Sequence, residues 1–95
     1  MPAYLIVDLE VTDPETFERY KREVAPNLES FGARYLTRGG RTEVLEGDWS
    51  PRRLVLIEFP SMERLEEWYR SPSYAPLLEL RERSASSRVV ATEGI

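Results

Sequence analysis

Two residue types that carry much of protein chemistry are absent from this chain of 95 residues, which contains no cysteine and no histidine. Without cysteine there is neither a disulfide framework nor a thiolate nucleophile. Without histidine the commonest metal ligand and the commonest general base at neutral pH are missing. No serine stands at a recognisable spacing from a base either. The sequence therefore predicts a protein that acts without haem, without a histidine-bound metal and without another cofactor.

Long apolar runs and a positive charge balance are also missing. No segment approaches the roughly 18 apolar residues of a membrane span, and the N-terminal MPAYLIVDLEV lacks the basic region of a signal peptide. The formal net charge of -4 opposes binding to nucleic acid phosphates. RNA-recognition domains expose aromatic residues on a central strand, whereas this chain has the aliphatic RRLVLIEF. We therefore predict a cytoplasmic protein that binds neither membranes nor nucleic acids.

The composition is that of one small globular domain. Hydrophobic residues make up 41% of the chain and charged residues 32%, which separates it from disordered sequences. No linker or low-complexity tract divides the sequence. We therefore predict a single domain over residues 1–95.

The first third of the chain combines a strand pattern with a helix pattern. Apolar and polar residues alternate over residues 3–11, which predicts a strand. Asp13 and Pro14 then supply a helix N-cap and a first-turn proline. The apolar residues that follow recur every three or four positions as far as Phe31, which predicts a helix with one apolar face. Pro26 lies inside this pattern and is expected to break or kink the helix.

The middle of the chain is predicted to contain two strands, the first of them with an irregularity. Residues 33–38 and 41–46 have strand character, with a bend or bulge at Gly39-Gly40 between them. The acidic turn EGDWSP follows, with its glycine and proline at turn positions. Residues 52–59 form the most apolar strand, which is therefore expected to be central in the sheet.

The last third completes the topology. Ser61 is a predicted N-cap for a second helix, Ser71-Pro72 interrupts it, and a further helix and a last strand over 87–93 follow. The order β-α-β-β-α-β predicts the ferredoxin-like arrangement. The fold class is therefore α+β, with a four-stranded antiparallel sheet and helices on one face only.

The sheet face without helices, called the open face below, mixes apolar and charged side chains. Its predicted apolar members are Tyr4, Ile6, Leu36, Leu54, Leu56 and Val90. A patch of this size is larger than soluble monomers usually expose to water. We therefore expect a second copy of the chain to cover it, giving a homodimer or a higher oligomer.

Four charged residues are predicted to share the open face, namely Asp8, Arg34, Arg38 and Glu58. One interpretation is that they form cross-strand ion pairs that fix the pairing of the dimer. The other is that one guanidinium stays free to bind a carboxylate or enolate bidentately. An acid/base or metal site made of Asp8, Glu10 and Glu58 is disfavoured, because nearby arginines would keep these carboxylates ionised.

Aromatic residues and one arginine on the helices form the candidate ligand site. Tyr20 and Trp68 lie on apolar helix faces, where they either pack in the core or, with Tyr74, line a cavity between helices and sheet. Arg81 follows an apolar stripe near Tyr74 and is the best candidate for a pocket cation. Trp49 either packs against the hairpin or a neighbouring subunit, or walls the pocket. The full predicted ligand-binding set is Tyr20, Arg38, Trp49, Trp68, Tyr74 and Arg81.

Several motifs together resemble one known family. They are VTDPETFERY after the first strand, RYLTRGG, EVLEGDW, LVLIEFPS and WYRSPSY. With them the chain resembles, over nearly its whole length, an uncharacterised bacterial family of the dimeric α/β-barrel superfamily, domain of unknown function thirteen-thirty. The resemblance implies a ferredoxin-like subunit whose sheet packs on its twin to form a barrel. The superfamily includes cofactor-free monooxygenases, lactone isomerases and haem-degrading enzymes, a breadth that implies no particular reaction.

Two hypotheses on function follow from the sequence. The first is a cofactor-free enzyme or ligand-binding homodimer that takes a small anionic or aromatic metabolite. The second is a non-catalytic structural or interaction dimer, in which the charges of the open face only specify pairing. An enclosed site of several hundred Å³, about the size of known ligand pockets, would favour the first hypothesis. A filled interior would favour the second.

Overall fold

The computed structural model describes residues 1–95. In it, one layer of helices covers one face of an antiparallel sheet. The elements are β1 (Ala3–Val11), α1 (Pro14–Ser30), β2 (Arg34–Arg38), β3 (Leu54–Phe59), α2 (Met62–Tyr69), α3 (Ala75–Ser84) and β4 (Ala85–Glu93). The strand order is β2-β3-β1-β4, and every neighbouring pair is antiparallel. This is the predicted α+β ferredoxin-like subunit, with β1 and the apolar β3 in the centre. None of the helices combines the length and apolar character needed to cross a membrane.

Both predicted N-caps are confirmed. The carboxylate of Asp13 accepts hydrogen bonds from the backbone N–H of Thr16 at 3.4 Å and from its hydroxyl at 2.7 Å. The hydroxyl of Ser61 accepts from the backbone N–H of Arg64 at 3.1 Å. Each cap satisfies an N–H group that has no partner inside its helix, and so places the start of α1 and of α2.

The predicted break at Pro26 is wrong, because α1 continues through it to Ser30. Proline removes one backbone hydrogen bond from the helix interior. The buried side chains of Val24 and Leu28 lie on either side of Pro26 and pack in the core. The side chain of Asn27 is also fixed, since it accepts from Trp68 Nε1 at 2.8 Å. These tertiary contacts outweigh the local preference.

The predicted strand over 41–46 is also wrong. No strand forms between β2 and β3, and all side chains from residue 41 to residue 50 are exposed. Leu45, for example, is 87% exposed. An alternating sequence forms a strand where a neighbouring strand and a packed surface stabilise it, and this segment has neither.

The core lies between the helices and one face of the sheet. The largest fully buried side chains there are Trp68, Tyr74 and Phe59. The open face is as predicted free of helices. On it Ile6 pairs with Leu56 on one side and with Val90 on the other, so an apolar row crosses the sheet. Val90 is 60% exposed.

Candidate functional site

A β-bulge at Leu36 decides which face the end of β2 presents. Arg34 pairs with Glu58, but after the bulge Arg38 pairs with Val55. Since a shift of one residue moves the following side chains to the other face, Arg38 lies on the helix-covered face. The expectation that it shares the open face with Glu58 is therefore wrong, whereas Arg34 does so, with its Nε 2.6 Å from Glu58 Oε1.

A cavity of about 30 Å³ lies between the helices and the sheet. Its floor is aliphatic and consists of Leu5, Val7, Leu9, Val55 and Ile57. Its remaining lining is Phe17, Tyr20, Lys21, Tyr35, Arg38, Arg53, Trp68 and Arg81. A volume of this size holds about one or two water molecules. No aspartate or glutamate lines it, although four cationic side chains do.

A chain of hydrogen bonds at the cavity joins Arg81, Tyr74 and Tyr20. We call these three residues the inner cluster. Arg81 Nη1 donates to the hydroxyl of Tyr74 at 3.2 Å, and this hydroxyl lies 3.1 Å from that of Tyr20. Arg81 is only 6% exposed, its Nε has no hydrogen-bond partner, and it takes part in no ion pair. A buried guanidinium normally has a carboxylate partner. Here it has only a phenol.

The two phenols of the inner cluster are neutral hydrogen-bond donors at physiological pH. Burial raises the pKa of Tyr20 and of Tyr74 above the ordinary value for tyrosine. The bond between the two hydroxyls uses one of their two hydrogens. The bond from Arg81 uses no phenol hydrogen, because Tyr74 accepts it. One phenol hydrogen is therefore left for a third group. The cluster therefore contains one unpaired guanidinium N–H and one spare phenol O–H.

Two further arginines, the outer pair Arg38 and Arg53, also line the cavity. The guanidinium of Arg38 lies 4.8 Å from the ring centre of Tyr35, and that of Arg53 lies 5.6 Å from the ring centre of Phe17. Neither belongs to an ion pair, and the buried Nε of Arg53 has no partner. Aromatic rings, not carboxylates, thus hold both cations in position.

The first glycine of the Gly-Gly pair makes room for the outer pair. Gly39 has φ +71°, and a Cβ at this position would lie 2.7 Å from Arg53 Nη1. The positive φ disfavours any other residue, and a Cβ would force the end of the Arg53 side chain to move. In the RGG motif, the backbone of Gly39 therefore lies close to the guanidinium of Arg53.

Arg53 and Gly39 are site residues that the sequence-based set does not contain. A signal for Arg53 exists, because it precedes Val55 by two residues and so continues the row that faces the helices. Of the predicted set, Tyr20, Arg38, Trp68 and Arg81 line the cavity, and Tyr74 bonds to two of them. Trp68 also packs on Tyr74, with ring centres 4.0 Å apart, so it is part of the core as well.

Trp49 lies on the other side of the sheet and does not line this cavity; it borders a separate surface cleft of about 570 Å³ together with Asp8, Glu10 and Arg52. Its Nε1 donates to Asp8 Oδ2 at 2.9 Å, and the backbone N–H of Arg52 donates to Asp8 Oδ1 at 3.0 Å. The hydrogen bond from Trp49 is the main reason why the pKa of Asp8 is lowered. The tryptophan in the acidic turn thus supplies an indole N–H that holds the loop to β1.

The acidic residues of the open face have separate partners. Glu58 pairs with Arg34, and Glu10 lies 3.2 Å from Arg52. No three acidic side chains come close enough to hold a metal ion. These residues therefore act as ion-pair and hydrogen-bond partners on that face.

The fold has solved relatives at low sequence identity. RPA0582 from Rhodopseudomonas palustris, described as a protein of unknown function, has a TM-score of 0.78 at 19% identity, covering 99% of this chain and 82% of its own. SnoaB from Streptomyces nogalater, a cofactor-independent oxygenase, has a TM-score of 0.69 at 11% identity, covering 99% and 93%. A dimeric ferredoxin-like protein of unknown function from Jannaschia sp. CCS1 has a TM-score of 0.67 at 16% identity, covering 99% and 100%.

These likenesses concern the fold, which is the predicted ferredoxin-like one. No protein with a curated description matches the chain. The sequence profile of one family matches residues 2–95, and its description agrees with the resemblance carried by the sequence motifs. The chain belongs to the family described as Domain of unknown function (DUF1330).

Proposed function

We propose that the protein is a homodimer that binds a small organic anion in the cavity of each subunit, as a cofactor-free enzyme or as a ligand-binding protein. One observation carries the proposal: the buried guanidinium of Arg81 has no anionic partner in the chain and has an unused Nε. Removing a charge from water costs several kilocalories per mole unless a partner compensates it. A bound anion would be that partner.

The inner cluster suits a carboxylate or an enolate. Arg81 offers its unused Nε, and the pair Tyr20–Tyr74 offers one phenol hydrogen. Hydrogen bonds from a charged donor to an oxyanion are about twice as strong as bonds between neutral groups. In a reaction that builds negative charge on an oxygen, the same donors would stabilise that charge.

The volume of the cavity limits which part of a ligand it can hold. About 30 Å³ accepts the anionic head group of a ligand and not a whole aromatic ring. The rest of the ligand would lie beside the outer pair. Arg38 is exposed, so its side chain is able to move aside. A small ligand with its charge at one end fits this arrangement best.

The open face supports the homodimer. Its apolar row of Leu56, Ile6 and Val90 is uncovered in the single chain, and Leu36 next to it is 46% exposed. Stable dimers bury about 1,200 Å² or more in total, and a second copy of the same sheet is the cover that we propose for this patch. The relative from Jannaschia is described as dimeric, which agrees with the proposal.

A non-catalytic dimer module is the alternative, and the cavity size favours it. A filled interior was the expected sign of that function, and about 30 Å³ is far below the several hundred Å³ of a typical ligand pocket. The Arg34–Glu58 pair on the open face would then only specify how two copies associate.

Calorimetric titration with small carboxylates, together with thermal shift, separates the two functions. We expect wild type to bind and Arg81→Met to lose binding by roughly tenfold to a hundredfold, the value of a charge-assisted hydrogen bond. Arg83→Met is the matched control, because Arg83 is an exposed arginine on the same helix without an ion pair. If no carboxylate binds wild type, the ligand-binding proposal is refuted and the dimer module is favoured; if Arg81→Met binds as well as Arg83→Met, the inner cluster is not the binding site.

A further inference from the structure

We infer that the ligand carries two anionic groups on one short carbon skeleton, as a dicarboxylate does. This inference rests on the proposed function and concerns the same cavity. It starts from the number of unpaired cations: Arg81, Arg38 and Arg53 line the cavity, and none of them forms an ion pair. The fourth lining cation, Lys21, is already bonded to Glu18 at 2.8 Å.

The three guanidiniums occupy two separate subsites. The inner one belongs to α3, and its partner is the hydroxyl of Tyr74. Of the outer pair, Arg38 ends β2 and Arg53 directly precedes β3, and their partners are the rings of Tyr35 and Phe17. The aliphatic floor of the cavity lies beneath all three. One compact anion would satisfy one subsite and leave the other without a counter-charge.

The two members of the outer pair come from neighbouring backbone positions on one face of the sheet. Arg38 pairs with Val55 across the strands, and Arg53 precedes Val55 by two residues on the same face. Arg38 is followed directly by Gly39, where a Cβ would lie 2.7 Å from Arg53 Nη1. Two like charges repel each other at short range. The carboxylate of Glu18 acts on Arg53 only from beyond ion-pair distance and is itself bonded to Lys21, so a bound anion would be the nearest counter-charge of the outer pair.

The chemistry of the subsites narrows the ligand class. The inner cluster combines one guanidinium with one phenol hydrogen, which fits a carboxylate or an enolate oxygen. The outer pair presents two guanidiniums, and these fit a second carboxylate. Between them the floor of Val7, Val55 and Ile57 has no polar side chain, so the linking skeleton is apolar and short.

Titration with matched monoanions and dianions tests the inference. The pairs are butanoate with butanedioate, and benzoate with each of the three benzenedicarboxylates. We expect at least one dianion to bind wild type about tenfold or more tightly than its monoanion, the value of one further charge-assisted contact. Arg38→Met and Arg53→Met should each reduce the dianion to the affinity of the monoanion. Arg81→Met should weaken both.

Arg41→Met is the control for lost charge near the hairpin, because Arg41 is exposed and pairs only with Glu43. It should leave both affinities unchanged. If monoanion and dianion bind wild type equally and only Arg81→Met weakens them, the two-anion inference is overturned while the proposed function survives. If no anion of either kind binds, both are overturned. If Arg41→Met lowers the dianion affinity as much as Arg53→Met, the effect is general electrostatics and the inference again falls.

Discussion

The guanidinium of Arg81 donates to the hydroxyl of Tyr74 at 3.2 Å, and no carboxylate lies within ion-pair distance of it. A neutral phenol compensates a buried charge less well than a carboxylate does. The unliganded protein therefore keeps a cation in its interior at a cost in stability. Such a cost is typical of sites that are organised in advance for a ligand.

The stability of unliganded Arg81→Met tests this directly. Replacing a buried charge by an apolar side chain of similar length is often neutral or stabilising. We expect the free energy of unfolding of this variant to equal or exceed that of wild type in urea titrations without ligand. A loss of about 3 kcal/mol or more, the usual result of breaking a buried pair, would show that Arg81 is a structural partner.

Tyr74→Phe and Tyr20→Phe should differ in their effects. The hydroxyl of Tyr74 bonds to both Arg81 and Tyr20, whereas that of Tyr20 bonds to Tyr74 alone. Tyr74→Phe removes the bond that Arg81 Nη1 donates and should cost about 1–3 kcal/mol in the free energy of unfolding. Tyr20→Phe should cost less. Equal losses in denaturant titrations would contradict the order of bonds in the inner cluster.

Gly39→Ala and Gly47→Ala form a matched pair. Both glycines have positive φ, +71° and +86°, so alanine costs roughly 1–2 kcal/mol at either position. A Cβ at Gly47 meets nothing within 4 Å, whereas one at Gly39 meets the guanidinium of Arg53. We expect only Gly39→Ala to displace Arg53 and weaken anion binding, as measured by calorimetry. Equal binding by the two variants would show that the close approach does not position Arg53.

Trp49→Phe should raise the pKa of the Asp8 carboxyl toward its ordinary value of 3.8, because the largest cause of its lowered pKa is the bond from Trp49. A lowered folded-state pKa contributes stability that is present above the unfolded pKa and lost as the pH falls through the folded pKa. The variant should therefore lose less stability than wild type on acidification below about pH 3.8. NMR titration of the Asp8 side chain is the measurement, and an unchanged midpoint would refute it.

Leu56→Asp should dissociate the proposed homodimer. It places an unpaired carboxylate in the centre of the open face, opposite Ile6. Sedimentation at micromolar concentration should show a dimer for wild type and a monomer or precipitate for the variant. Arg83→Asp, which adds an acid on the exposed side of α3, is the control and should remain dimeric. A monomeric wild type would refute the sheet-to-sheet dimer.

Local patterns were sufficient to predict the order of elements. Alternation over β1 and β3, the helical spacing of α1 and the caps Asp13 and Ser61 act over a few residues, and such signals are readable without a partner. The mixed polarity of the open face was also readable, because alternate residues of a strand face opposite sides. Arg81 could be singled out in the same way, as a charge on an otherwise apolar helix face.

Tertiary structure decided on which face Arg38 and Trp49 lie. The bulge at Leu36 moves Arg38 to the helix-covered face, and it exists only in the pairing of β2 with β3. The hydrogen bond from Trp49 to Asp8 joins residues 41 positions apart, and Pro26 stays helical because the core on both sides of it is packed. Each of these outcomes depends on contacts between segments that are distant in the chain, and no local preference encodes them.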